Sequence, residues 1–250
     1  MIPAIVAGVV AVTAVAAAVA ASNSSNSNSS SGSSSSGGGG GGGYYYDDDD
    51  DDYYYDTNDG TSNVIITGVT GAGKSSTINA LLKREDAKVG VGVNPETKGA
   101  HSYLMDEHSI TLWDTPGLGD GVEQDKENIR QILDSLTRDC LVVVVIDGYN
   151  KDMGMTYVLL DEIKHTVKPH QISIVINQAD VAMKGENWDM ENKRPNKELL
   201  KFLEEQALSI QRRIFETSKL EVALPIFYSA MYGYNVDKLL DNIITNTSQK

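Results

Sequence analysis

The octapeptide GVTGAGKS, Gly68 to Ser75, limits the fold of this chain more than any other feature, because it sits between an apolar β-rich run and a helical pattern. It fits G-x-x-x-x-G-K-[ST], and the chemistry explains the spacing. A glycine-rich turn lets successive backbone N–H groups converge on one anion, and the N-terminus of the following helix adds its dipole. Lys74 is then placed to reach the β- and γ-phosphates of a nucleotide, and the Ser75 hydroxyl to ligate Mg2+. The expected phosphate-binding set is Gly68, Thr70, Gly71, Ala72, Gly73, Lys74, Ser75 and Ser76.

The rest of the domain supplies the frame that such a loop needs. Short apolar runs at Val64–Thr67, Ile110–Trp113, Leu141–Ile146, Ile172–Ile176 and Leu224–Tyr228 read as strands. Helical patterns lie between and after them, at Ser75–Lys83, Lys126–Arg138, Met155–Thr166, Asn196–Thr217 and Asn235–Ile244. The unbroken run LVVVVI is what a central strand covered on both faces requires. This alternation predicts an α/β fold, a doubly wound, mostly parallel sheet flanked by helices. Ligands of such sheets bind at the carboxyl ends of strands, so informative residues belong just after the apolar runs.

Three further motifs lie there. DTPG, Asp114 to Gly117, follows the second run: Asp114 can hold the Mg2+ shell, and the Gly117 N–H can face a γ-phosphate. NQAD, Asn177 to Asp180, follows the fourth, and an Asp180 carboxylate can accept from N1 and the exocyclic amine of guanine, a donor pair that adenine lacks. After the last run, a backbone N–H of Ser229–Ala230 can donate to the guanine O6.

The ordered set GVTGAGKS, Thr97, DTPG, NQAD and SA resembles the translation-factor-related class of P-loop GTPases, with Era-like and YfjP-like bacterial proteins as the nearest look-alikes. The pattern T-G-x-G-K-S and the sequence DTPGLGD are also similar to septins and AIG-type GTPases. The resemblance spans about residues 63–244. It implies a small G domain that binds GTP and GDP with Mg2+ and hydrolyses GTP slowly, switching mobile loops as it does so. It also implies that Lys74 and Thr97 are catalytic and that Ser75, Thr97 and Asp114 surround the metal.

This chain departs from the class at three places. Gln178 stands where N-K-x-D has Lys, which predicts weaker guanine selectivity. Leu118 stands where Ras-like proteins carry a water-orienting Gln. Hydrolysis then needs another group, a backbone-held water or a partner's side chain, and Asp120, Glu123 and Asp125 are nearby. Gly71 stands where potassium-activated relatives place Asn, which argues against a potassium-bound mechanism. Two rival functions remain open: a nucleotide-dependent oligomerising scaffold with negligible turnover, and an NTPase of relaxed specificity.

The domain expected at 63–250 is preceded by an extension of different composition. Residues 1–21 are uncharged and rich in Ala and Val, about the length of a membrane-crossing helix. A membrane anchor is expected, with a signal peptide and an Ala-rich docking helix as the other readings. The 22–62 stretch, rich in Ser, Gly, Tyr and Asp, reads as a disordered tether with a reach of roughly 35 Å. With that anchor, the need for GTP is expected to put the domain on the cytoplasmic face.

The net charge is −14; residues 1–60 hold eight of the 35 acidic residues and no Lys or Arg, so the remainder carries 27 acidic and 21 basic side chains. That balance argues against a sequence-independent grip on nucleic acid and gives no support for a ribosomal partner. The single cysteine, Cys140, adjoins the central apolar run and reads as a buried structural thiol.

Overall fold

In a computed structural model, residues 61–84, 87, 101–149 and 152–248 are described. The apolar segment 1–21, most of the 22–62 stretch and Thr97 lie outside them. Six strands form one sheet in the order β2-β3-β1-β4-β5-β8. The strands are β1 (Ser62–Gly68), β2 (His101–Met105), β3 (Ile110–Asp114), β4 (Leu141–Asp147), β5 (Ile172–Asn177) and β8 (Ile226–Phe227). All neighbours are parallel except β2, which runs antiparallel to β3. A two-stranded hairpin, β6 (Trp188–Asp189) and β7 (Arg194–Pro195), stands apart. The helices are α1 (Lys74–Leu82), α2 (Val122–Asp134), α3 (Gly154–Ile163), α4 (Lys197–Ser218) and α5 (Val236–Thr247).

The period of two in β4 divides the core into two layers. Val142, Val144 and Ile146 face the side covered by α2, α3 and α4, packing with Ile129, Leu159 and Ile214. Val143 and Val145 face the other side, with Ile78 of α1 and Leu239 of α5. Each fully buried aliphatic side chain contributes about 1.5–3 kcal/mol of transfer free energy. This double cover is why β4 carries no polar residue before Asp147. Cys140 is buried at its entrance, and burial pushes its thiol up from the ordinary value.

The differences from the sequence expectation have local causes. Strand β2 went unseen because its exposed residues do not alternate cleanly; it is an edge strand with only Met105 buried. Helix α2 begins at Val122, four residues before the expected start, because Gly121 at φ 131° turns the chain there. Glu123 and Asp125 then occupy the first turn, where acidic side chains suit the helix dipole. The same helix ends at Asp134, and the Ser135 hydroxyl donates to the Ile132 carbonyl. The last expected strand shrinks to Ile226–Phe227 because Pro225 lacks an N–H for the ladder.

On α4 the buried stripe is Leu199, Leu203, Ala207, Ile210 and Ile214, stepping by four, four, three and four. Leu208 lies about 100° round the helix from Ala207 and is exposed. Trp113 is only partly buried, and its Nε1 donates to Asn63 Oδ1 at 2.9 Å.

Helix α4 starts at Asn196, whose side-chain oxygen accepts from the N–H groups of Glu198 and Leu199 at 3.0 and 2.9 Å. Asn196→Ala orphans both donors and is expected to lower stability by about 1 kcal/mol. A lower urea midpoint with an unchanged slope is the readout.

Candidate functional site

The loop between β1 and α1 is folded by its glycines. Gly73, the residue before α1, has φ 90°, a left-handed conformation that L side chains avoid. A Cβ there would also collide with the Asn177 side-chain amide. The loop is therefore pressed against the end of β5, and Asn177 exploits the closeness. Its Nδ2 donates to the Ala72 carbonyl at 3.1 Å, while its Oδ1 accepts from the Ala230 N–H at 3.1 Å. One buried amide thus joins three of the sequence-predicted motifs. Gln178, at φ 62°, adds a second tie, donating from Nε2 to the Gly71 carbonyl at 3.0 Å.

On the other flank the loop meets the DTPG segment. The Thr70 N–H donates to the Leu118 carbonyl at 2.8 Å, and the Leu118 N–H to the Gly68 carbonyl at 3.3 Å. The Ser75 hydroxyl donates to Asp114 Oδ2 at 2.6 Å, so the two oxygen donors expected at the metal already touch. A hydroxyl and a carboxylate are hard oxygen ligands of the kind Mg2+ takes. The Ser75–Asp114 pair is therefore chemically suited to that ion. Leu118 is buried in the core beside Ile129 and takes no part at the surface of the site.

Asn177, Gln178, Asp180, Gly73, Ser76 and Ala230 line a cavity of about 1320 Å3. The structure thus brings Asp180 to the same hollow as the phosphate loop, although 105 residues separate Asn177 from Ala72. Ser229 lies just behind. It is fully buried, with its N–H given to the Tyr234 carbonyl and its hydroxyl accepting from the Tyr232 N–H. Thr97 lies outside the described residues, and its role is not addressed by this geometry.

Five supporting residues carried no sequence signal strong enough to assign them this work. Asn128 on α2 donates to the Gly117 carbonyl at 2.6 Å, and Gln124 in turn donates to Asn128. Asp125, buried on α2, accepts the N–H groups of Gly119 and Asp120 at 2.7 and 3.2 Å. The fully buried Tyr228 hydroxyl shares a hydrogen bond with Thr77, whose own hydroxyl donates to the Gly73 carbonyl. Desolvation pushes the Tyr228 phenol far up, so it stays neutral. Acidic residues just after DTPG were visible as candidates; which does what required the fold.

Comparisons with known proteins bear on the fold that carries these residues. Residues 63–178 match the sequence profile of the 50S ribosome-binding GTPase family. Toc33 from Arabidopsis thaliana, in complex with Mg2+ and GMPPNP, superposes with a TM-score of 0.53 at 16% identity, covering 76% of this chain and 85% of that one. The fold is that of a small G domain. A dimerization-deficient mutant of Toc33 gives 0.54 at 19% identity over the same shares. Era from Aquifex aeolicus, bound to GDP and AlF4−, gives only 0.46 at 20% identity, covering 74% of this chain and 56% of that one. No curated protein matches the chain significantly.

Lys74 at the heart of this G domain is 7% exposed and donates to the Gly68 and Val69 carbonyls at 3.2 and 3.1 Å. Burial lowers its pKa from 10.5 to about 8, while Asp114 and Asp120 pull the other way. A lowered lysine means that the unfolded chain holds this proton more tightly than the folded one. The penalty is therefore full below the folded value and fades as pH rises from about 8 to 10.5. At about 1.4 kcal/mol per unit it amounts to roughly 3 kcal/mol. With no nucleotide added, Lys74→Met is expected to unfold at higher urea than the parent at pH 7, by about 1–3 kcal/mol. The gain should narrow between pH 8 and 10.5; a constant or widening gain refutes the assignment.

Proposed function

We propose that the chain is a guanine-nucleotide switch that binds GTP and GDP with Mg2+ and hydrolyses GTP slowly. The observation that carries this reading is the Asn177 bridge. By joining Ala72 to Ala230, it ties the phosphate loop to both segments expected to read the base, with Asp180 beside them in one cavity.

On this reading the phosphates lie along Gly68 to Ser76, with Lys74 facing the β- and γ-groups. Bound there, Mg2+ would neutralise charge on the phosphate oxygens, held by Ser75, Asp114 and, as the resemblance implies, Thr97. Gly117 faces the γ-phosphate. Asp180 accepts from the guanine N1 and amine, and the O6 acceptor competes with Asn177 for the Ala230 N–H. Gln178 contributes its aliphatic stem near the ring, which leaves Asp180 as the main selector for guanine.

Calorimetric titration of the full chain with GTP, GDP and ATP, with and without Mg2+, tests this. Guanine nucleotides are expected to bind selectively and Lys74→Ala to abolish tight binding. Asp180→Asn should remove most of the preference for guanine over adenine. Undiminished affinity in Lys74→Ala would overturn the reading, and equal affinity for ATP in the parent would favour a relaxed NTPase.

A second reading, assembly of two copies across the nucleotide face, is favoured by one observation. Tyr149, Val181 and Met231, at the cavity's edge, are 63%, 41% and 79% exposed, more apolar surface than a site rim needs. Toc33 has a dimerization-deficient variant, which lends this reading weight. Light scattering with GDP and with a non-hydrolysable GTP analogue distinguishes it: a mass that never changes counts against it.

We further place the domain at the cytoplasmic face of a membrane through residues 1–21. Their composition supports this; among the described residues no helix is long and apolar enough to cross a membrane.

A further inference from the structure

The burial of Leu118 leaves a gap in the hydrolytic reading: the residue after Gly117 lies in the core, so another group must handle the attacking water. Three acidic residues follow DTPG, and the fold separates them. Glu123 is on the outer surface of α2, with 87% of its side chain exposed and paired to Lys126 at 2.8 Å. Asp125 is buried and spent on the Gly119 and Asp120 N–H groups. Asp120 is exposed, and its Oδ2 accepts from the Thr70 hydroxyl at 2.8 Å.

Thr70 belongs to the phosphate loop, and its place there is tight. A Cβ added to Gly117 would strike the Thr70 hydroxyl and press on its backbone. Thr70, Gly117 and Asp120 therefore form one rim, on the side where the proposed reading puts the γ-phosphate. The Asp120 carboxylate also shares that mouth with Lys74, whose proton it helps to hold.

We infer that Asp120, aimed by the Thr70 hydroxyl and seated by Asp125, orients and deprotonates the water that attacks GTP. This rests on the nucleotide reading above. In the step, the water oxygen forms a bond to the γ-phosphorus while the bond from that phosphorus to the β–γ bridging oxygen breaks. The bridging electron pair leaves with GDP, and the water proton passes to the Asp120 carboxylate and then to the released phosphate. One exposed carboxylate suits this task because it retains a free lone pair after accepting from Thr70, whereas Asp125 has given its oxygen to two backbone donors.

Full-length parent, Asp120→Asn, Asp120→Glu and Thr70→Val are compared for GTP and GDP affinity and for single-turnover hydrolysis with Mg2+. Asp120→Asn is expected to lower the hydrolysis rate by about 100-fold or more, the range of general-base contributions, with affinity within about threefold of the parent. Asp120→Glu recovers part of the rate, and Thr70→Val loses about tenfold because the carboxylate is no longer aimed. Hydrolysis unchanged in Asp120→Asn overturns the inference, as does a loss of affinity that parallels the loss of rate. A parent that binds GTP selectively but does not hydrolyse it overturns this inference alone; a parent that binds no nucleotide overturns the proposed function as well.

Discussion

The site hangs on one buried side-chain amide. Asn177 ends β5, in register with Asp147 on the neighbouring β4, and its amide faces two loops that it ties together. Its Nδ2 holds the phosphate loop by a carbonyl, and its Oδ1 holds the segment after β8 by an N–H. Both bonds are buried or partly buried, where a lost partner leaves a desolvated group at about 1–3 kcal/mol. The amide is the right group because it offers a donor and an acceptor at a fixed spacing; Asp in its place would offer no donor to Ala72. The closeness of Gly73 completes the device, since any larger residue there would push Asn177 off the loop.

Much of this was legible in the sequence for a physical reason. The phosphate loop, the Asp after β3 and the Asn after β5 are short-range signals. Each combines a backbone geometry with a neighbouring apolar run, and a linear string shows both. The buried strands β4 and β5 were equally plain, since a strand covered on both faces leaves no polar residue to confuse the pattern. What stayed hidden depends on distant partners or on weak local patterning. Strand β2 is an edge with one buried residue, and Tyr228 works only because Thr77 arrives from 151 positions away. Asp120 precedes α2, whereas Glu123 and Asp125 fall on the exposed and buried sides of its first turn, and the start of α2 was expected four residues late. That error alone was enough to leave the three acids undifferentiated.

The phosphate loop also shows stability being surrendered for a ligand. A lysine buried this deeply, donating to the Gly68 and Val69 carbonyls, is held away from water at a cost in folding free energy. Asp114 and Asp120 offset part of it, and those same carboxylates are the ones assigned to the metal and to the water. A triphosphate presented to Lys74 would restore the ammonium to its ordinary basicity. Nucleotide binding and folding are thus linked through this one charge, and the linkage favours a domain that is firmest when loaded.

Gln178 shows how a departure from the usual pattern is absorbed. Its backbone takes the left-handed conformation at φ 62°, which turns the side chain back to the Gly71 carbonyl. A lysine at this position has three donors and a charge, and could serve the loop and the nucleotide together. Gln has one amide, and it is committed to the loop, so only the short aliphatic stem is left for a ring face. The tie to the phosphate loop is retained while, under the proposed reading, grip on the base is reduced. Under the proposed reading, discrimination between guanine and adenine then falls on Asp180, a short buried carboxylate whose place in the cavity is fixed by the same turn that carries Gln178.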